Sequence, residues 1–319
     1  MPIRRAIPHA LAVALALLAA PDPAAALEVT TLHTGLNGVS QLCFDAQRNL
    51  YATLRNPSNS VVKIPAGGGT PSTFAIGFSD PFGIVCDSQG NLFVTNYGGD
   101  RVDKVTPSGT RTVFATGIVD PAPIAIDPLD NLYVGEYFSQ AVKKITPAGT
   151  VTHYAQAGLG TASGTTRRLT ALFMEPDGRL LCGTFGPGDG TPPYPITSIP
   201  AGGGTRTVVC TSSIPITSIF LGPAGIHYFA GYQYDVLARS VLPAPPQVYA
   251  GALNTPGLVD GALLSARFQY PAGLAMDTDG LIYVADTLND AIRVVNDPLT
   301  GPTPATRSTW GRLKDLYRK

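Results

Sequence analysis

Three oxygen-bearing side chains, Asn96, Glu136 and Asp286, share one spacing: each stands nine residues after an aspartate that opens a polar turn, at Asp87, Asp127 and Asp277. An amide and two carboxylates are hard donors of the kind a divalent cation accepts, and they can equally hydrogen-bond a bound polar molecule. Leu54, Thr184 and Gly231 hold the same register elsewhere, so only three of the six positions can bind a cation or activate water. The residues that follow are Arg55, Tyr97, Tyr137, Phe185, Tyr232 and Thr287, four of them aromatic. Aromatic rings around a few converging polar groups are the composition of a small-molecule site. A structural reading of the same residues stays open, because a strand-ending aspartate also caps turns and aromatics there also pack between sheets.

The elements that would position these residues follow from the same ruler. The turn-opening residue falls at Asp45, Asp87, Asp127, Glu175, Gly222 and Asp277, at intervals of 42, 40, 48, 47 and 55 residues. The last unit shows the pattern most clearly: apolar runs over Gly273 to Met276, Leu281 to Ala285 and Ala291 to Val295 are separated by polar turns and predict a three-stranded meander. One meander cannot bury its own faces, and six units of four-strand length are what a closed β-propeller needs. Unit six breaks off at Asp297-Pro298 after three strands, whereas Thr30 to Gly35 matches the ends of units one and two. The expected fold is therefore an all-β, six-bladed propeller of four-stranded blades, the last closed by the N-terminal strand.

The last unit, with Val259-Asp260-Gly261, Ala266-Arg267-Phe268, Pro271-Ala272-Gly273, Tyr283-Val284-Ala285-Asp286 and Ile292-Arg293, resembles the NHL-repeat propellers. Units two and three, with GNLFVTNYGGDRVDKVTPSGT and DNLYVGEYFSQAVKKITPAGTV, are similar to the repeats of streptogramin lyases. The resemblance spans residues 27 to about 300 and implies that second strands end at the rim of a central funnel. It places Asn96, Tyr97, Glu136, Tyr137, Phe185, Tyr232 and Asp286 there as candidate binding residues. Gluconolactonase-like relatives imply a divalent cation held by Glu, Asn and Asp, here Glu136, Asn96 and Asp286. Lyase relatives imply a rim histidine, but His33 and His153 fall on outermost strands and His227 falls early in a second strand. The leading expectation is a binding or protein-interaction scaffold for a small molecule, peptide or glycan, without cofactor, resident metal or catalytic residue. The alternative is a metal-dependent lactonase or lyase at the same rim.

Residues 1–26 read as a signal peptide, with Arg4-Arg5, an apolar stretch from Ala10 to Ala20 and Ala24-Ala25-Ala26 at its end. Residues 27–300 form the propeller, and 301–319 a Pro/Thr linker with a short basic tail around Trp310. An exported monomer in the periplasm, at the cell surface or secreted is expected. Without the leader the chain carries 20 basic and 21 acidic residues (22 − 2 and 22 − 1), so its charge offers no footprint for nucleic acid or anionic membranes. No later stretch is apolar enough to span a bilayer. The 35 glycines and 29 prolines are the material of many tight turns. The glycine runs at Gly67-Gly68-Gly69 and Gly202-Gly203-Gly204 occupy the slot of a plain Pro-x-Gly turn in units two and three, which argues against a phosphate cradle. Asp277-Thr278-Asp279-Gly280 lacks the closing ligands of a calcium loop and reads as a hairpin turn. Cys43, Cys86, Cys182 and Cys210 are expected as buried thiols, with a Cys43–Cys86 bridge between adjacent blades as the alternative.

Overall fold

The computed structural model describes residues 27–155, 167–186 and 192–297. The leader, most of the connector Gly158 to Arg168, the centre of the Gly/Pro-rich insert Gly186 to Pro195 and the basic tail lie outside the described residues. The first strand is β1 (Glu28–His33). Blade one comprises β2 (Val39–Phe44), β3 (Leu50–Leu54), β4 (Ser60–Ile64) and β5 (Ser72–Ile76). Blade two comprises β6 (Pro81–Cys86), β7 (Leu92–Asn96), β8 (Arg101–Val105) and β9 (Arg111–Thr116). Blade three comprises β10 (Pro121–Ile126), β11 (Leu132–Glu136), β12 (Val142–Ile145) and β13 (Val151–Ala155). Blade four comprises β14 (Arg168–Met174), β15 (Leu180–Phe185), β16 (Tyr194–Ile199) and β17 (Thr207–Ser212). Blade five comprises β18 (Ser218–Leu221), β19 (His227–Gly231), β20 (Val236–Ser240) and β21 (Gln247–Gly251). Blade six adds β22 (Gly261–Ala262), β23 (Pro271–Met276), β24 (Ile282–Asp286) and β25 (Ala291–Asn296).

Five sheets run as antiparallel meanders in chain order. The sixth has the order β22-β1-β25-β24-β23, so the N-terminal strand pairs with β25, as the truncated sixth unit requires. A fifth strand, β22, which the repeat pattern does not contain, covers the outer edge of β1 at Glu28 and Val29. Asp260 strengthens this clasp, accepting from the Thr31 N–H at 3.0 Å and the Thr31 hydroxyl at 2.8 Å. Pairing β1 on both sides removes the open ladder that would otherwise invite strand addition.

The core is divided rather than central. Its six apolar clusters each join two neighbouring blades, and the cluster of Leu36, Val39 and Leu50 with Ala275, Ala285 and Ile292 joins the last blade to the first. Hydroxyls tie the innermost strands together as well. Thr53 and Thr95 donate to the carbonyls of Phe82 and Ala122 at 2.8 and 2.7 Å, and Thr170 and Thr217 to those of Ile216 and Ala272 at 2.6 and 3.1 Å. At the closure, a Cβ on Gly273 would lie 2.4 Å from the Ser40 carbonyl oxygen, so only glycine lets blade six approach blade one this closely.

The ruler aspartates are structural. Asp45 accepts from the N–H groups of Gln47 and Asn49 and from the Tyr51 hydroxyl, and Asp127 repeats the set with Leu129, Asn131 and Tyr133. Asp277 holds its hairpin in the same way through Asp279, Leu281 and Tyr283. Each is an Asx-type turn that orders the hairpin between first and second strands. The cysteines are four free thiols, of which Cys182 is buried and the other three partly buried. Among the described residues no helix is long and apolar enough to cross a membrane.

Candidate functional site

The position nine residues after the ruler is the last residue of the second strand in blades one, two, three, five and six. Where that residue is polar it is buried and hydrogen-bonded. Asn96 is 0 % exposed; its Oδ1 accepts from the Ser79 N–H at 2.6 Å and its Nδ2 donates to Asp103 at 2.9 Å. Glu136 accepts from the Val119 N–H at 3.3 Å and the Ser139 hydroxyl at 2.6 Å, with Lys143 Nζ at 3.7 Å. Asp286, also 0 % exposed, accepts from the Gln269 N–H, Asn289 and Arg293 at 2.6, 2.8 and 2.9 Å.

These bonds follow one geometry. Each residue accepts the backbone N–H seventeen positions earlier, on the connector leading into its own blade. Each also faces the residue seven positions later on the third strand: Asp103, Lys143 and Arg293. The chemistry of the pair differs from blade to blade, but its task is the same. It anchors the connector and fills the strand end, satisfying backbone and side chain together. Burial holds the Asp286 carboxyl above the usual range, to about 6, although its three donors pull the other way. Among the described residues no group of three or more His, Cys, Asp or Glu side chains comes together to hold a metal. The other buried acid–base pair, Glu175 with His227 at 2.6 Å, lies at the opposite end of the second strands.

The next residue in each blade behaves differently. Tyr97, Tyr137, Phe185 and Tyr232 are partly exposed, and Tyr97 and Tyr232 each open a 3₁₀ turn. The structure gathers them in two arcs. In one, Tyr97 meets Tyr137 edge to face with centroids 5.7 Å apart, flanked by Phe82 at 6.5 Å and Phe138 at 5.0 Å from Tyr137. In the other, Tyr232 meets Phe185 at 6.3 Å and Tyr270 at 4.8 Å. Arg55, at the same position in blade one, lies over Phe82 at 4.9 Å and Tyr97 at 5.9 Å.

Asp80 holds Arg55 in a two-pronged pair, accepting from Nε at 2.7 Å and Nη2 at 2.6 Å. Burial works against the guanidinium charge, but these bonds outweigh it and raise the pKa of Arg55. Burial, then the field of Asp120, raises the Tyr97 phenol; burial also raises Tyr232, against the pull of Arg55. Tyr270 has φ of 57°, at the connector position where other blades use Gly38, Asp80 and Asp120. A bulky residue in the left-handed region costs roughly 1–3 kcal/mol, and such strain collects at ligand clamps. The strand count points to the position after the strand end but misses Phe82 and Arg168, at the starts of β6 and β14, and Tyr270, on the connector into β23.

A family model described as NHL repeat matches residues 268–294. No curated protein matches the sequence. Similar solved structures include an auxiliary nutrient binding protein from Bacteroides thetaiotaomicron, 16 % identical, TM-score 0.66, covering 84 % of this chain and 76 % of that one. The virginiamycin B lyase of Staphylococcus aureus, solved as an inactive variant with quinupristin, is 17 % identical with TM-score 0.57 and coverage of 81 % and 80 %. A gluconolactonase from Xanthomonas campestris is 10 % identical with TM-score 0.63 and coverage of 84 % and 88 %. At these identities the likeness is one of fold, and the chain is a six-bladed β-propeller carrying an NHL repeat in its last blade.

Proposed function

We propose that the protein is an exported binding propeller whose rim takes a small molecule, peptide or glycan with an apolar face. The observation that carries this reading is the set of partly exposed rings Tyr97, Tyr137, Phe185 and Tyr232, with Arg55 beside Tyr97, each one step in sequence after the end or penultimate residue of a second strand. Rings with exposed faces and a guanidinium edge bind flat apolar surfaces that carry acceptors. Strain at Tyr270 supports it, since a glycine or aspartate there would serve the ring alone at less cost. Binding is favoured over hydrolysis because Asn96, Glu136 and Asp286 already hold protein partners, leaving no free carboxylate among them to activate water. The leader-like residues 1–26 and the structural likeness to a nutrient binding protein support export to the periplasm, cell surface or medium.

The test is a thermal-shift screen of the purified chain against oligosaccharides, short peptides and aromatic acids, followed by calorimetry on hits. A ligand at about 100 times its Kd stabilises by about 2.7 kcal/mol. The shift is expected to vanish in the Tyr97→Ala/Tyr232→Ala double variant. Hits that bind the double variant with undiminished affinity would place the site elsewhere.

A further inference from the structure

The two arginines on the aromatic rim are held in different ways, and the difference selects the ligand. Arg55 is neutralised by Asp80 through both carboxylate oxygens. Arg168, the first residue of β14, lies over Tyr137 at 5.4 Å and Phe138 at 5.3 Å. Its one side-chain hydrogen bond among the described residues is a long one, from Nη1 to the Tyr137 hydroxyl at 3.5 Å, and it has no carboxylate partner there. Ring faces cover a guanidinium without neutralising it, so its charge and most of its N–H donors stay available. On the Tyr97 side stand Asp100 and Asp120, the first accepting from the backbone N–H of the second at 2.9 Å. An anion is repelled there and drawn toward Arg168.

Resting on the reading of the rim as a binding site, we infer that its ligand carries a carboxylate on a ring with an apolar face. Arg168 binds the carboxylate, Tyr97 and Tyr137 receive the ring, and Arg55 with Asp80 is a positioning pair that braces Phe82 and Tyr97. An acidic sugar and an aromatic acid share this chemistry. A planar guanidinium with a carboxylate makes the two-pronged contact that the compact lysine ammonium cannot reproduce.

Calorimetry on the full chain with two matched probe pairs tests the inference. One pair is 4-nitrophenyl β-D-glucuronide and its β-D-glucoside; the other is benzoate and benzyl alcohol. In at least one pair the acid is expected to bind about tenfold tighter than its neutral twin. Raising salt from about 50 to 500 mM is expected to erode the preference. Arg168→Gln is expected to bring the ratio close to one, and Arg168→Lys to keep part of it. Arg55→Gln is expected to weaken acid and neutral probes alike, as loss of a brace requires. Whichever pair shows the preference identifies the source as sugar or aromatic acid. Equal binding within both pairs overturns the inference and leaves the binding rim standing, as does a preference that survives Arg168→Gln. Failure of all four probes to bind overturns both.

Discussion

Two layers of the rim are one residue apart in sequence and opposite in character. The inner layer, Asn96, Glu136 and Asp286, is buried; each member accepts a hydrogen bond from its own connector, and Asn96 and Asp286 are hydrogen-bonded to their third strands while Glu136 has Lys143 at 3.7 Å. The outer layer, Arg55, Tyr97, Tyr137, Phe185 and Tyr232, is partly exposed and is held mainly by ring–ring and guanidinium–ring contacts. Polar chemistry in a funnel is therefore a poor guide to function until its partners are counted. A buried carboxylate that holds its own connector supports the ring; a partly exposed aromatic is open to contact from outside.

The sharpest way to break this contrast is Arg293→Met. Arg293 is 0 % exposed and bonds Asp286, Asp260 and the carbonyls of Val259 and Arg267. Its loss leaves Asp286 buried without its cation and should cost about 3–5 kcal/mol in urea unfolding. A loss below about 1 kcal/mol would mean that the inner layer carries no structural burden. Next in size is Glu136→Ala, which strips the Val119 N–H and the Ser139 hydroxyl of their acceptor. It should destabilise by about 1–3 kcal/mol and leave probe affinity within about threefold. Tyr270→Asn should move the two readouts in opposite directions: relief of the positive φ raises stability by about 1 kcal/mol, while loss of the ring from the Tyr232 arc weakens binding. Smallest is the response to millimolar calcium, magnesium or zinc, expected to shift Tm by less than about 1 °C; a larger rise would favour the metal-dependent hydrolase reading.

Much of this was legible in the sequence. The four turn aspartates, with Glu175 and Gly222 in the same slot, count six blades, because an aspartate there closes a hairpin within six residues, a local interaction that a spacing reveals. The missing sixth-blade strand pointed to Thr30, and β1 indeed pairs with β25. The pairing of 96 with 103, 136 with 143 and 286 with 293 was also within reach, since it is a fixed step of seven inside one hairpin. What stayed hidden is the chemistry made between blades. Arg55 meets Asp80 from the following connector, and Tyr270 reaches Tyr232 across a blade boundary. Connector lengths vary, so no period leads to them. The strand β22 was equally invisible, being two residues long and without an apolar pattern.

The most direct test compares two neighbours, Asn96→Ala and Tyr97→Ala, by urea unfolding and by calorimetry with the tighter-binding acidic probe. The account predicts that Asn96→Ala loses about 1–3 kcal/mol of stability with little change in affinity. It predicts that Tyr97→Ala loses about 1 kcal/mol or less and binds at least about tenfold more weakly. The reverse pattern, a stable Asn96→Ala that no longer binds beside a destabilised Tyr97→Ala that does, would contradict it.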